Sequence, residues 1–353
     1  MKKLFYCAIL CIVFSSLALA KGPKNIIIMI GDGMGINQVQ AAYTQNGGHL
    51  NMTDRCPFVG LRRTNSANRY TTDSAAGGTA IATGVKTNNG MVGMDPDSVP
   101  LNSIIRLATL KGLSTGVIAT SSLTDATPAS FVAHQPLRYM QEEIAADYLQ
   151  SDITLFIGGG RKFFEQRKDG RNISEEMTRK GYRIVSTLEE ARKVSGGMLG
   201  VFASDDALEP IQKRDAHFLA DATQLAIEQL SQNKKGFVLM VEGSQIDWGG
   251  HNNDQEHMVG ETIDFDRAVG KALDFAEKDG NTLVVVTADH ETGGIAIHGG
   301  DYDKKEVKVK YTTGGHSASP VPFFSYGPGA EQFAGFKDNT ASFYLMKNLL
   351  KLK

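Results

Sequence analysis

The sequence has few cysteines and no excess of positive charge. Only three Cys occur in 353 residues, and Cys7 and Cys11 lie so near the start that Cys56 stands alone in the rest of the chain. A lone thiol excludes a disulfide-held scaffold, so stability must come from a buried core or bound metal. Lys and Arg total 37 against 39 Asp and Glu, for a formal net charge of −2. This balance gives no support for nucleic-acid binding, and by itself it disfavours an anionic ligand.

The first twenty residues have the pattern of a secretory signal peptide. Lys2 and Lys3 precede an apolar run over residues 4–14, and small residues follow up to Ala20. This pattern predicts cleavage after Ala20 and export to the periplasm or the medium. A lipoprotein attached through Cys11 is less well supported, because the apolar run continues past it. No later segment approaches the roughly eighteen apolar residues of a membrane span, so none is expected.

Short apolar runs alternate with segments of helical periodicity in the rest of the chain. This alternation predicts a layered α/β sandwich with a largely parallel sheet. Residues 64–100 and 299–322 are rich in turn formers and are predicted as loops. The sequence shows neither a repeat nor a Pro/Ser-rich linker, so residues 21–353 are predicted to form a single domain. The predicted strands are 25–30, 116–119, 154–157, 200–203, 237–241 and 282–287, and the predicted helices are 138–150, 214–232 and 254–278.

Carboxylates follow four of the predicted strands. They are Asp32, Asp125, Glu242 and Asp289, and Asp247 lies a few residues further on. Each alone could be a turn residue, a cap or a solvated charge. In a parallel sheet, however, the strand ends meet at one edge, and carboxylates gathered there would repel one another unless a cation were bound. The sequence therefore predicts a divalent-metal site at this edge.

The residue types indicate which metals the site would take. Asp247 and His251 are four residues apart, on one face if that turn is helical, and a third ligand from His316 would complete a nitrogen–oxygen set suited to zinc. Asp289 and His290, joined by Asp32, form a second set of the same kind.

A third group of candidate metal ligands contains only oxygen donors. Glu242 and the Thr127 hydroxyl suit a harder ion such as Mg²⁺. Asp32 could belong to both neighbourhoods.

Ser74 is a candidate nucleophile. It lies among small residues, in TTDSAAGGT, before a stretch compatible with a helix. Small neighbours allow a substrate to approach, and a helix N-terminus favours a bound anion. The spacing of a G-x-S-x-G elbow is absent, so activation by metal is favoured over a triad. A helix cap is the alternative role for Ser74.

Six ordered motifs between Asp32 and His316 resemble those of the alkaline phosphatases. They are GDGMG, TTDSAAGGTAIATGVKTNNG, DATPASFVAHQPLR, VEGSQIDWGGH, VTADHETGG and GGHS. The resemblance implies a three-layer α/β/α sandwich around a large, mostly parallel central sheet. It also implies hydrolysis of phosphate monoesters to inorganic phosphate by a homodimer that carries two zinc ions and one magnesium ion.

The resemblance also assigns roles to individual residues. Ser74 would become phosphoserine and contact the second zinc, and Arg138 would grip the phosphoryl oxygens. Asp73 and Asp125 would lie just behind these groups, and Trp248 stands at a position where the family varies. The implied metal ligands are Asp247, His251 and His316 for one zinc, Asp32, Asp289 and His290 for the other, and Asp32, Thr127 and Glu242 for magnesium.

Two other functions compete with this one. A phosphodiesterase or sulfatase of the same superfamily would be expected to use a Thr or a modified Cys or Ser, and the sequence contains no C/S-x-P-x-R run. A metal-stabilised protein that captures phosphate without turnover would need no nucleophile at Ser74.

Overall fold

A ten-stranded sheet forms the centre of the computed structural model, which describes residues 22–353. The predicted signal peptide, residues 1–20, lies outside this range. Within the described residues, β13 is antiparallel to both of its neighbours, and the other strands of this sheet are parallel. The strand order is β14-β2-β13-β8-β1-β7-β3-β4-β6-β5. The strands are β1 (Asn25–Gly31), β2 (Phe58–Arg63), β3 (Ser114–Ser122), β4 (Leu155–Gly159), β5 (Tyr182–Val185), β6 (Met198–Phe202), β7 (Phe237–Gly243), β8 (Thr282–Thr287), β9 (Glu291–Thr292), β10 (Ala296–Asp301), β11 (Glu306–Lys310), β12 (His316–Ser317), β13 (Val321–Tyr326) and β14 (Gly335–Asp338).

Helices cover both faces of the sheet. Successive side chains of β1 enter opposite cores: Ile26, Ile28 and Ile30 pack on one face, and Ile27 and Met29 on the other. Because both faces are buried, the central strands are continuously apolar, which confirms the three-layer sandwich. The helices are α1 (Ile36–Gln45), α2 (Asn51–Arg55), α3 (Ser74–Thr83), α4 (Ile104–Leu110), α5 (Ala126–Ala129), α6 (Gln141–Gln150), α7 (Arg161–Glu165), α8 (Ile173–Lys180), α9 (Leu188–Arg192), α10 (Phe218–Leu230), α11 (Gln245–His251), α12 (Gln255–Asp279) and α13 (Ala341–Leu349), with a 3₁₀ turn at Ala330–Phe333.

The six predicted strands are confirmed as β1, β3, β4, β6, β7 and β8, and the three predicted helices as α6, α10 and α12. Both predicted loops are wrong in part. Residues 64–100 contain the fully buried helix α3, whose small side chains give little amphipathic pattern. Residues 299–322 contain β11, β12, the end of β10 and the first two residues of β13, and β10 and β11 form an antiparallel hairpin. Within residues 22–353, no helix is both long and apolar enough to cross a membrane.

Candidate active site and metal centre

Three neighbouring parallel strands bring the predicted carboxylates to one edge of the sheet. In the register of β1, Ile30 lies opposite Glu242 of β7 on one side and Thr287 of β8 on the other. Asp32 and Asp289, each two residues further along its own strand, therefore emerge beside Glu242. The convergence expected from the sequence is confirmed by the sheet register.

The first set of candidate ligands comprises Asp247, His251 and His316, called here the Asp247 cluster. Helix α11 places His251 Nε2 3.3 Å from Asp247 Oδ2, as expected for residues four apart in a helix. His316 Nε2 lies 3.5 Å from Asp247 Oδ1 and 3.1 Å from His251 Nε2. The three ligand atoms lie within 4.8 Å of one another, so one ion could contact all three.

The second set comprises Asp32, Asp289 and His290, called here the Asp32 cluster. All three residues are buried, and their ligand atoms also lie within 4.8 Å of one another. His290 Nε2 is 3.3 Å from Asp32 Oδ1 and 3.2 Å from Asp289 Oδ2. Asp289 Oδ1 accepts the backbone N–H groups of Gly33 and His290, which leaves Oδ2 directed at the cluster.

Each imidazole turns its Nε2 atom into a cluster and its Nδ1 atom toward an oxygen. His251 Nδ1 lies 2.7 Å from the Gly314 carbonyl, and His316 Nδ1 lies 2.9 Å from the Thr72 carbonyl. Because a carbonyl only accepts, both Nδ1 atoms carry a proton, and in the neutral rings, the form that binds a metal, both Nε2 atoms are bare. Two bare nitrogens 3.1 Å apart repel each other unless a cation lies against both of them, so the Asp247 cluster fits a metal ion.

Asp32, Thr127 and Glu242 form the oxygen-only set. Thr127 Oγ1 donates to Asp32 Oδ2 at 3.3 Å, and Glu242 lies close enough for its charge to raise the pKa of Asp32. Ser244 Oγ donates to Glu242 Oε2 at 2.6 Å, and Ser121 Oγ donates to the same atom at 3.4 Å. The predicted oxygen donors are thus brought together, held by two serines that the sequence did not single out.

The carboxylates carry more negative charge than the protein compensates. Burial and the charges of Asp125 and Asp289 raise the pKa of Glu242 to about 8. Burial and the charge of Asp247 raise the pKa of Asp289 to about 7, and burial with the neighbouring carboxylates raises that of Asp32.

A divalent ion fits the Asp32 cluster. Asp32 Oδ1 and Asp289 Oδ2 are buried without a hydrogen-bond donor. Among residues 22–353, no Lys or Arg lies within salt-bridge distance of Asp32, Asp289 or Glu242. A divalent ion would remove both the repulsion and the unmet hydrogen-bonding need.

Histidine protonation differs between the two clusters. Burial holds the pKa of His290 well below its usual value. The hydrogen bond that its ring donates to Asp247 raises the pKa of the exposed His251 to about 9. Burial disfavours the ionised form of Asp247. The hydrogen bond that Asp247 accepts from His251 and the charges of the nearby imidazoles outweigh burial and lower the pKa of Asp247.

Ser74 is the first residue of α3, and its hydroxyl faces the Asp32 cluster. The N-cap is Asp73, whose Oδ1 accepts the Ala76 N–H at 3.0 Å, so the capping role considered for Ser74 belongs to its neighbour. Ser74 Oγ lies 3.2 Å from His290 Nε2. A Cβ at Gly77 would stand 2.9 Å from the Asp289 carbonyl oxygen, so this close approach requires glycine.

Arg138 is held between two carboxylates beside Ser74. Its Nη2 lies 3.1 Å from Asp125 Oδ1, and its Nη1 lies 3.4 Å from Asp73 Oδ2. Burial disfavours the guanidinium charge, but Asp125 and Asp73 outweigh it and raise the pKa of Arg138. Trp248 lies on α11 next to Asp247 and is partly exposed.

Two further residues adjoin the site without having been singled out from the sequence. Glu291 Oε1 accepts from Gln38 Nε2 at 2.9 Å, and Glu291 Oε2 accepts from the hydroxyl of Ser317, next to His316. Thr292 Oγ1 contacts both Asp247 and His290. Both residues lie in the VTADHETGG motif directly after His290, which is the signal that could have drawn attention to them.

A doubly covered α/β sheet with a serine, a fixed arginine and clusters of carboxylate and imidazole at its edge defines a metal-dependent enzyme of phosphoryl transfer. The alkaline phosphatase family model matches residues 23–306. The chain therefore belongs to the alkaline phosphatase family and is a phosphatase.

Individual relatives agree with this assignment. The chain is 34% identical to alkaline phosphatase 4 of Bacillus subtilis, over 93% of this chain and 89% of that protein. It is 32% identical to the alkaline phosphatase of Escherichia coli K12, over 94% and 87%.

Solved structures agree as well. The alkaline phosphatase of the Antarctic bacterium TAB5 superposes with a TM-score of 0.90 at 41% identity, covering 94% of this chain and 100% of that one. The Thermus thermophilus enzyme superposes with a TM-score of 0.85 at 26% identity, covering 98% and 96%. A variant of the TAB5 enzyme has been solved with Mg bound. Family and structures together support hydrolysis of phosphate monoesters.

Proposed function

We propose that this enzyme hydrolyses phosphate monoesters through a phosphoserine on Ser74, using two zinc ions and one magnesium ion. The observation that carries the proposal is the position of Ser74 Oγ, 3.2 Å from His290 Nε2 at the edge of the Asp32 cluster. One zinc would be held by the Asp247 cluster and the other by the Asp32 cluster. Magnesium would be held by Asp32, Thr127 and Glu242. When bound, these ions lower the pKa of the serine hydroxyl and stabilise the departing alcohol oxygen.

The protein's own groups orient the phosphoryl group. Ser74 Oγ attacks phosphorus while the bond from phosphorus to the alcohol oxygen breaks, so the alcohol leaves and phosphoserine forms. Arg138 presents two N–H donors to the equatorial oxygens, and the backbone N–H groups at the start of α3 face the same anion. Water then attacks the phosphoserine, which releases inorganic phosphate and restores Ser74.

Arg138 is positioned before the substrate arrives. Its fork is held by Asp73 and Asp125, so little side-chain freedom is lost when phosphate binds. A fork that pairs with two free oxygens favours a monoester over a diester, because a diester has one of these oxygens esterified. This favours a monoesterase over the alternative, a phosphodiesterase or sulfatase.

Replacing Ser74 with Ala tests the proposal. Ser74→Ala should abolish acid-stable phosphate incorporation and lower kcat/KM for a monoester by at least about 10³-fold, because the nucleophile is gone. Zinc content should stay near the wild-type value, since Asp32, Asp289 and His290 are unchanged. Rates of the wild type on a monoester, a diester and a sulfate ester give the substrate class. Undiminished monoester turnover in Ser74→Ala, or faster turnover of a diester, would contradict the proposal.

We also propose that the protein is exported, that residues 21–353 form one catalytic domain and that it acts as a homodimer. The support is the pattern of residues 1–20, the lack of a linker-like stretch in the sequence and the family resemblance. The N-terminal sequence of the exported protein and its mass in solution test the first and last of these.

A further inference from the structure

Thr292 touches a candidate ligand of each cluster with a single side-chain atom. Its Oγ1 contacts Asp247 Oδ1 of the Asp247 cluster and lies 3.2 Å from His290 Nδ1 of the Asp32 cluster. The residue is fully buried. We propose that Thr292 is a positioning residue that couples the two metal sites by holding Asp247 and His290 at once. The inference rests on the metal binding proposed above.

The hydrogen-bond directions follow from the chemistry of the three groups. A hydroxyl has one proton to donate, and an ionised carboxylate only accepts, so Thr292 donates to Asp247. The same oxygen then accepts from the N–H at His290 Nδ1. His290 Nε2 is consequently bare, and it faces Asp32, Asp289 and Ser74. One hydroxyl thus fixes a carboxylate oxygen in one cluster and the ring orientation of the imidazole in the other.

The equivalent contacts of the other two imidazoles use backbone atoms. His251 and His316 direct Nδ1 at the carbonyls of Gly314 and Thr72. His290 is the one candidate histidine ligand in the described chain whose Nδ1 partner is a side chain. Its support can therefore be removed by a substitution at Thr292 that leaves every proposed ligand in place.

The backbone of Thr292 is held independently of its hydroxyl. Its N–H donates to the Gly33 carbonyl at 3.1 Å, and its carbonyl accepts from Gln38 Nε2 at 2.7 Å. In the β9–β12 pair it lies opposite His316. Replacing the hydroxyl with a methyl group in Thr292→Val keeps this framework and the side-chain shape. The change therefore isolates the hydroxyl.

Zinc affinity of metal-free protein, measured by competition with a chromophoric chelator in excess Mg²⁺, tests the coupling. Thr292→Val is compared with wild type in two backgrounds: His251→Ala, which disables the Asp247 cluster, and Asp289→Ala, which disables the Asp32 cluster. We expect a loss of roughly 10–100-fold in zinc affinity at the remaining site in both backgrounds, as for other groups that support ligands. Thr292→Ser keeps the hydroxyl and should retain most of the affinity in both.

The outcomes separate the coupling from simpler explanations. A loss in only one background, or in neither, overturns it. So does an equal loss in Thr292→Ser, which would assign the effect to the methyl group. Circular dichroism of the metal-free variants checks folding, and Thr292→Ala replaces Thr292→Val if the latter does not fold. Failure of the wild type to bind zinc would instead overturn the proposed function itself.

Discussion

Two regions of this molecule bury carboxylates, and they neutralise them differently. On α12, Glu261 and Asp264 are fully buried around Arg214, whose Nη2 lies 2.6 Å from Glu261 and 2.8 Å from Asp264. His257 Nε2 adds a contact to Glu261 at 3.5 Å. At the sheet edge, Asp32, Asp289 and Glu242 are equally buried, yet no Lys or Arg of residues 22–353 lies within salt-bridge distance of them.

The difference shows in the protonation of the acids. Burial alone would raise the pKa of Glu261, but the contact with His257 and the hydrogen bonds from Arg214 outweigh it and leave that pKa below its usual value. The pKa of Asp264 is raised by burial to about 6, while that of Glu242 reaches about 8. Buried carboxylates with an arginine beside them are neutralised by the protein itself. Buried carboxylates without a neighbouring cation leave negative charge for a ligand to neutralise.

Matched Asp-to-Asn substitutions should separate the two regions most strongly. Asp289→Asn should lower kcat/KM by about 10³-fold or more, because a neutral amide is a poor zinc ligand and the metal supplies several kcal/mol of transition-state stabilisation. It should also raise the melting temperature of the metal-free protein by relieving repulsion. Asp264→Asn should leave turnover near the wild-type rate. Equal losses of kcat/KM in the two variants, assayed with zinc and magnesium present, would show that the sheet-edge carboxylates are no more important for turnover than those around Arg214.

Removing the arginine should damage the α12 region alone. Arg214→Met leaves Glu261 and Asp264 buried without their cation, which should cost about 3–5 kcal/mol of the free energy of unfolding. Turnover per folded molecule should not change. Urea unfolding of the metal-loaded protein measures the loss. The control is Arg171→Ala, which breaks the exposed 2.7 Å pair with Glu176 and should barely change the free energy of unfolding, because solvent screens both charges. A loss in Arg214→Met no larger than in this control would show that the buried acids need no cation.

The sequence predicts the centre of the fold better than its edges. Strands β1, β7 and β8 are buried on both faces, so their apolar runs are unmistakable. At the other extreme, β2 and β14 mix exposed and buried residues, as in FVGLRR and GFKD, and give no such run. Their pairing depends on long-range contacts that a local pattern does not contain.

The same contrast holds for the candidate site. The carboxylates could be placed together because parallel strands all end at the same edge of the sheet, which is where Asp32, Glu242 and Asp289 follow them. Thr292 could not be placed, because its position opposite His316 depends on the pairing of β9 with β12. The net charge of −2 was also a poor guide to the ligand, because it averages the site with the rest of the surface.

The pH dependence of stability should distinguish the two regions in the metal-free protein. Asp289 and Glu242, with pKa values raised to about 7 and about 8, stabilise the fold in their protonated forms. That stabilisation is complete below the pKa values of the unfolded chain, near 4. It falls progressively as pH rises and is fully lost once pH has passed the pKa values of the folded protein. The lowered pKa of His290 changes the stability only below about pH 6.5, where the unfolded imidazole gains its proton. The raised pKa of His251 adds to the loss of stability above about pH 6.5. Chelated protein should therefore lose stability between about pH 6.5 and 8, by up to roughly 1.4 kcal/mol per pH unit for each titrating buried group.

Added zinc and magnesium should abolish the slope, because metal binding keeps the carboxylates ionised. Asp264, with a pKa of about 6, contributes at lower pH and should respond equally with and without metal. Urea unfolding across this range measures the slope, and a chelated protein as stable at pH 8 as at pH 6.5 would mean that the sheet-edge carboxylates are neutralised by the protein after all.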